Sequence, residues 1–75
     1  MAKATRFSRV TFGRSVRLTR EKLGFSQEDF AERANVHRTY ISSIELGKVN
    51  VGIEVANALA QALGLRLSEL ARRAE

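Results

Sequence analysis

Four residues, Gly24, Asn35, Gly47 and Gly64, cut the chain into stretches that leave room for short helices and little else. Glycine, and asparagine more readily than most residues, adopts the left-handed backbone that stops an α-helix. Between these stops, apolar residues recur at spacings of three and four. Proline is absent, and Val, Ile and Thr never alternate with polar residues over a strand-length run. The period-2 template fails everywhere and the helical one fits, so the chain reads as all-α.

The spacing predicts five helices in one compact bundle. Helix 1 runs from about Thr11 to Leu23 with Phe12, Val16 and Leu23 inward, and ends at Gly24. Helix 2, about residues 26–34, opens at Ser26, a favoured N-cap, with Glu28 and Asp29 placed to complement the positive end of the helix dipole. Phe30, Ala31 and Ala34 form its buried stripe. Helix 3, about His37 to Leu46, follows across a very short joint and is closed by Gly47. Asn50 is expected to cap helix 4, about Val51 to Leu63, whose stripe is Ile53, Ala56, Leu59, Ala60 and Leu63. A last helix, about Ser68 to Arg73, carries Leu70 and Ala71 on one side. Residues 1–9 have no apolar periodicity and read as a flexible basic arm, leaving residues 10–75 as a single domain.

Seventy-five residues with 44% hydrophobic content support one modest core. With no cysteine and a single histidine, disulfide frameworks and thiolate or imidazole metal clusters are excluded. No apolar stretch suits a membrane span or a secretory signal, so a cytoplasmic protein is expected. The formal charge is +5 and is unevenly spread: residues 1–22 hold seven Lys/Arg against one Glu, and residues 23–75 hold six against seven. A basic leading end on a near-neutral body suits an anionic polymer such as nucleic acid.

Helix 3 shows how such a polymer could be read. At about 100° per residue, Ile41 and Ile44 share one side, flanked by His37 and Tyr40, while Thr39, Ser42 and Ser43 face away with Arg38 beside them in the first turn. An α-helix with a slim polar outer face fits the major groove of B-form DNA, where arginine can donate twice to guanine and Ser or Thr can bond several base edges. Helix 2 would hold helix 3 at a fixed angle, and its amino terminus, with Gln27 in the first turn, could point N–H groups at a phosphate. His37 reads as a capping or packing residue, since no nucleophile or carboxylate constellation supports a catalytic role.

The stretch SQEDFAERANVHRTYISSIELGK, residues 26–48, resembles the helix-turn-helix domains of Cro and the lambdoid phage repressors, the XRE family. The likeness covers about Phe12 to Leu70. It rests on Ser-Gln opening helix 2, Ala31 within it, the short turn, and Ile-x-x-Ile-Glu-x-Gly-Lys closing helix 3. The run HRTYISSIE is especially similar to the controller proteins of restriction–modification systems, which regulate transcription as homodimers. The resemblance implies a lambda repressor-like fold and a bacterial or phage-encoded transcription regulator without cofactor, bound to double-stranded operator DNA. It implies that Gln27 contacts phosphate, that Arg38, Thr39, Ser42 and Ser43 reach base edges, that Tyr40 meets backbone or a thymine methyl, and that Lys48 belongs to the DNA-binding set. It further implies an ion pair between Arg20 and Glu45; the helical wheel independently sets Glu45 next to the core side.

The chain departs from the family pattern at Asn35, where glycine is common, and at His37, where a small capping residue is frequent. Leu46 and Val49 stand where polar or basic residues are more usual, so fewer phosphate contacts are expected after helix 3. Leu65, Leu67 and Leu70 exceed what a core of this size must bury and are expected at a two-fold contact between subunits. An antitoxin-type module, binding a partner protein first and its operator second, is the alternative; its sign would be an extension beyond the bundle. An enzyme is not expected, for lack of a nucleophile–base pair or phosphate loop. RNA binding is disfavoured because the outer face offers no aromatic beyond Tyr40 for stacking.

Overall fold

The computed structural model describes residues 8–73, and helices are the regular elements among them: α1 (Arg9–Lys22), α2 (Gln27–Ala34), α3 (Arg38–Glu45), α4 (Ile53–Ala62) and α5 (Leu67–Arg73). The expected arm falls largely outside the described residues, but its last two positions do not. Ser8 is the N-cap of α1, and its Oγ accepts from the Thr11 N–H at 3.2 Å while Thr11 Oγ1 accepts from the Ser8 N–H at 2.8 Å. This reciprocal pair satisfies two backbone donors and starts the helix at Arg9, two residues before the spacing placed it. The usual signature has Glu or Gln at the third helical position; here threonine does the same job.

The second helix begins as its sequence suggests, with Ser26 Oγ accepting from the Asp29 N–H at 3.0 Å. It stops at Asn35, whose φ of 59° and ψ of 46° are left-handed, and the next N–H, of Val36, donates back to the Ala31 carbonyl at 3.0 Å. That reversal lets α3 follow α2 with only three residues between them. Holding a non-glycine residue here costs about 1–2 kcal/mol, less for asparagine than for a branched side chain. Asn35→Gly is therefore expected to leave the thermal midpoint unchanged or slightly raised, and Asn35→Val to lower stability by about 1–2 kcal/mol, read from denaturant melts.

Eight residues are too few for α3 to be stable alone, so its shape comes from tertiary contacts. Ile41 and Ile44 are fully enclosed by α1 and α2, and each contributes roughly 1.5–3 kcal/mol of apolar burial. His37 sits at its N-cap position without any side-chain capping bond. On its other flank α1 packs against α5, where the Ser15 hydroxyl donates to the Leu70 carbonyl at 3.3 Å, and α4 closes the core against α2 and α5. Phe12, Val16, Phe30, Leu59 and Leu70 fill the centre.

Two expected inward positions are not inward. Leu23 lies in the turn after α1 and is 49% exposed, because the helix ends one residue earlier and the chain bends away. Asn50 does not cap α4; Gly52 occupies the N-cap, again with no side-chain bond. Ile53 thus becomes the first residue of α4 instead of its third, and at the rim of the bundle it is 74% exposed.

Candidate nucleic-acid interface

The carboxylate of Glu45, the last residue of α3, is the hub of the site. Its Oε2 accepts from Arg20 Nε at 2.7 Å, and its Oε1 accepts both from an Arg20 terminal nitrogen at 3.0 Å and from Gln27 Nε2 at 3.0 Å. The remaining arm of the guanidinium donates to the Phe25 carbonyl at 2.7 Å, and Phe25 is itself steadied by the Arg33 guanidinium 4.3 Å above its ring. Because a carboxylate only accepts, the Gln27 amide must turn its nitrogen toward Glu45. One acidic group therefore binds α1, the start of α2 and the end of α3 together, which fixes how α3 projects from the body.

Both partners are shielded, with side-chain exposures of 10% for Arg20 and 2% for Glu45. Burial of two charges is tolerable because every bond they can make to one another is made. Hydrogen bonding to Glu45 raises the Arg20 pKa above the ordinary arginine range, against the opposing effect of burial. A raised pKa for a basic group adds stability that is complete below its unfolded value and is lost only as pH climbs through the folded one. The contribution is thus constant through neutral pH.

The outer side of α3 carries Arg38 and Thr39, both exposed, with Ser42 and Ser43 half-buried further along and Lys48 exposed just beyond. Tyr40 is half-buried against the core. Gln27 spends one amide hydrogen on Glu45; among the described residues its second N–H and its side-chain carbonyl have no partner. Leu70 is fully enclosed by its own chain and cannot meet a second subunit, so of the three expected contact leucines only Leu65 and Leu67 keep exposed surface. Burial follows from α5 lying on α1, where Leu70 points at the centre.

Three residues of α1 that helical spacing does not mark also stand at the interface. Gly13 crosses directly under α3: a Cβ there would run into the Ile44 carbonyl oxygen, with the Glu45 carbonyl oxygen at 3.2 Å. Arg14 and Arg17 line a cleft of about 410 Å³ shared with Gln27, Ser42 and Glu45. The available signals were a glycine inside a helical pattern and two arginines one turn apart. Among the described residues, no three metal-type ligands come together and no helix is long and apolar enough to cross a membrane.

Comparison with known proteins agrees with this geometry. A helix-turn-helix family model matches residues 16–70. Over 63 residues the chain is 43% identical to the control protein C.MunI of Mycoplasma sp, covering 83% of this chain and 85% of that one. It is 41% identical over 63 residues to the control protein C.BamHI of Bacillus amyloliquefaciens, covering 83% and 78%. Its fold superposes on the restriction–modification controller protein C.AhdI of Aeromonas hydrophila with a TM-score of 0.80 and 35% identity, over 83% of this chain and 94% of that one. The clp gene regulator ClgR of Corynebacterium glutamicum gives a TM-score of 0.84 at 27% identity, over 88% and 70%. The chain belongs to the XRE-type helix-turn-helix family of DNA-binding transcription regulators, and to its controller-protein type.

Proposed function

We propose that this regulator binds a pseudo-palindromic duplex operator as a homodimer, in the cytoplasm and without catalysis, and that it controls a restriction–modification operon. The observation carrying this reading is the outer side of α3: Arg38 and Thr39 stand exposed to solvent, Ser42 and Ser43 continue the same side, and from Arg38 to Glu45 no bulky apolar side chain is exposed, the first being Leu46 at the C-cap. Such a surface can slide between the walls of a major groove and present donors and acceptors to base edges. Gln27, Tyr40 and Lys48 would then contact backbone on either side. Its control-protein relatives support the choice of operon.

Dimerisation is supported by apolar surface left over after folding. Ile53 stands at the edge of a groove of about 440 Å³ lined also by Val51, Leu67 and Ala71, and a two-fold axis beside it would bury Ile53 in the partner's copy of that groove. Two α3 helices related by such an axis would enter successive major grooves about 34 Å apart.

The test is selection of bound duplexes from a random library, followed by competition of the selected site against a scrambled one. Arg38→Ala is expected to lose about 1–3 kcal/mol of discrimination, roughly 5- to 150-fold, while most non-specific binding remains. A footprint spanning two half-sites is expected for the wild type. Full discrimination by the Arg38→Ala protein would remove Arg38 from base readout, and a single half-site footprint would remove the dimer.

A further inference from the structure

We infer that Arg14 and Arg17 of α1 form a phosphate clamp beside the reading helix, lengthening the contact with one strand of the duplex beyond what the helix-turn-helix unit itself supplies. The inference rests on the duplex-DNA reading above and adds a binding site to it. Seven of the thirteen Lys/Arg residues lie in the first 22 positions. Of these, Arg20 is consumed by Glu45, whereas Arg14 and Arg17 are exposed and make no ion pair among the described residues.

Their placement follows from the way α1 is clamped. Gly13 lies against α3 and Ser15 is bonded to α5, so opposite sides of α1 face these two helices. Arg14 and Arg17, with Val10, fall on the α3 side and line the cleft together with Gln27, Ser42 and Leu46. Glu45 also lines this cleft, but its charge is already met by Arg20 and Gln27. The cleft is therefore positive and opens next to the residues assigned to base and phosphate contact.

A helix is about 10–12 Å across and the major groove about 12 Å wide, so a seated α3 fills the groove and its flanks meet the phosphate walls. Residues three apart on a helix are separated by roughly 4.5 Å along its axis, close to the roughly 3.4 Å rise between phosphates of one strand. Arg14 and Arg17 can thus serve neighbouring phosphates, each guanidinium offering paired donors. Such contacts strengthen binding to any sequence and leave discrimination untouched.

The experiment compares the full chain with its R14Q/R17Q, R14K/R17K and R72Q/R73Q variants by fluorescence anisotropy, on a selected and a scrambled duplex, across a four-fold rise in salt. R72Q/R73Q removes equal charge from exposed positions on α5, across α1 from the cleft. R14Q/R17Q is expected to flatten the slope of log K against log salt by about 1.8 per bound subunit on both duplexes, so the wild type loses about 12-fold more affinity per subunit than the variant over that range. R14K/R17K should keep the wild-type slope, as should R72Q/R73Q, and the ratio of selected to scrambled binding should be unchanged in all. An unaltered slope in R14Q/R17Q overturns the clamp, and so does an equal flattening by R72Q/R73Q, which would mean bulk charge alone. Failure of the base-reading model would look different: the wild type itself would show no preference between duplexes, while the slopes on the scrambled one would still decide for or against the clamp.

Discussion

Glu45→Ala is expected to lower the stability of this regulator by about 3–5 kcal/mol, the usual cost of leaving the other half of a buried ion pair uncompensated. The substitution leaves the shielded Arg20 guanidinium with only the Phe25 carbonyl and the more distant, half-exposed Glu21 carboxylate at 3.8 Å, and removes the acceptor of Gln27 at the same time. A chain of this size has only about 4–11 kcal/mol to lose, so the thermal midpoint should fall on the order of 20 °C, or the folded state should disappear. Circular dichroism melts would show it. The double variant Arg20→Met/Glu45→Leu should recover much of the loss, because apolar replacements of a buried pair are frequently neutral or better. A Glu45→Ala midpoint within a few degrees of wild type would mean that water reaches the pair and that the network contributes little.

Gly13→Ala sets two effects of opposite sign against each other. In a helix interior alanine is favoured over glycine by about 1 kcal/mol, so local propensity alone forecasts a more stable protein. The new methyl group, however, would collide with the Ile44 carbonyl oxygen and sit 3.1 Å from its carbon. Those are backbone atoms inside α3, which cannot swing aside as a side-chain tip can. Relief requires α1 and α3 to part, opening the seam over Ile41 and Ile44 and stretching the Arg20–Glu45 contact. Overpacking of this kind costs about 1–3 kcal/mol and sometimes more, and a clash with backbone belongs at the upper end. A net loss of roughly 2 kcal/mol is expected in denaturant unfolding, together with weaker operator binding per folded molecule because α3 is re-aimed. A gain in stability would show that α1 and α3 can part at this crossing with little cost.

How far these features could be read in advance depends on the range over which the physics acts. Ser26 with Asp29, and the left-handed stop at Asn35, are settled within four residues, and the sequence displays them openly. The helical stripe also identified Phe30, Ile41, Ile44 and Leu59 as core. Errors came where a cap of unusual composition moved an element end: the Ser8–Thr11 pair lengthened α1, and the start of α4 at Ile53 sent a nominal core residue to the rim. The Gln27–Glu45 bond joins residues 18 apart, and the closeness of Gly13 to Ile44 depends on how two helices cross. Neither is encoded in local spacing. Leu70 shows the same limit, since whether a leucine near the chain end faces its own core or another subunit is decided by where α5 lies on α1.

The Glu45 network grips α3 from behind and at its far end, leaving Arg38, Thr39, Ser42 and Ser43 outside the set of residues that hold the helix in place. If those four side chains read the operator as proposed, architecture and address are written on separate sides of eight residues. Exchanging those four side chains for others of similar bulk should redirect the protein to a new target while its melting behaviour stays nearly constant. A lineage, or an engineer, can explore many recognition codes on this frame without first having to rebuild it.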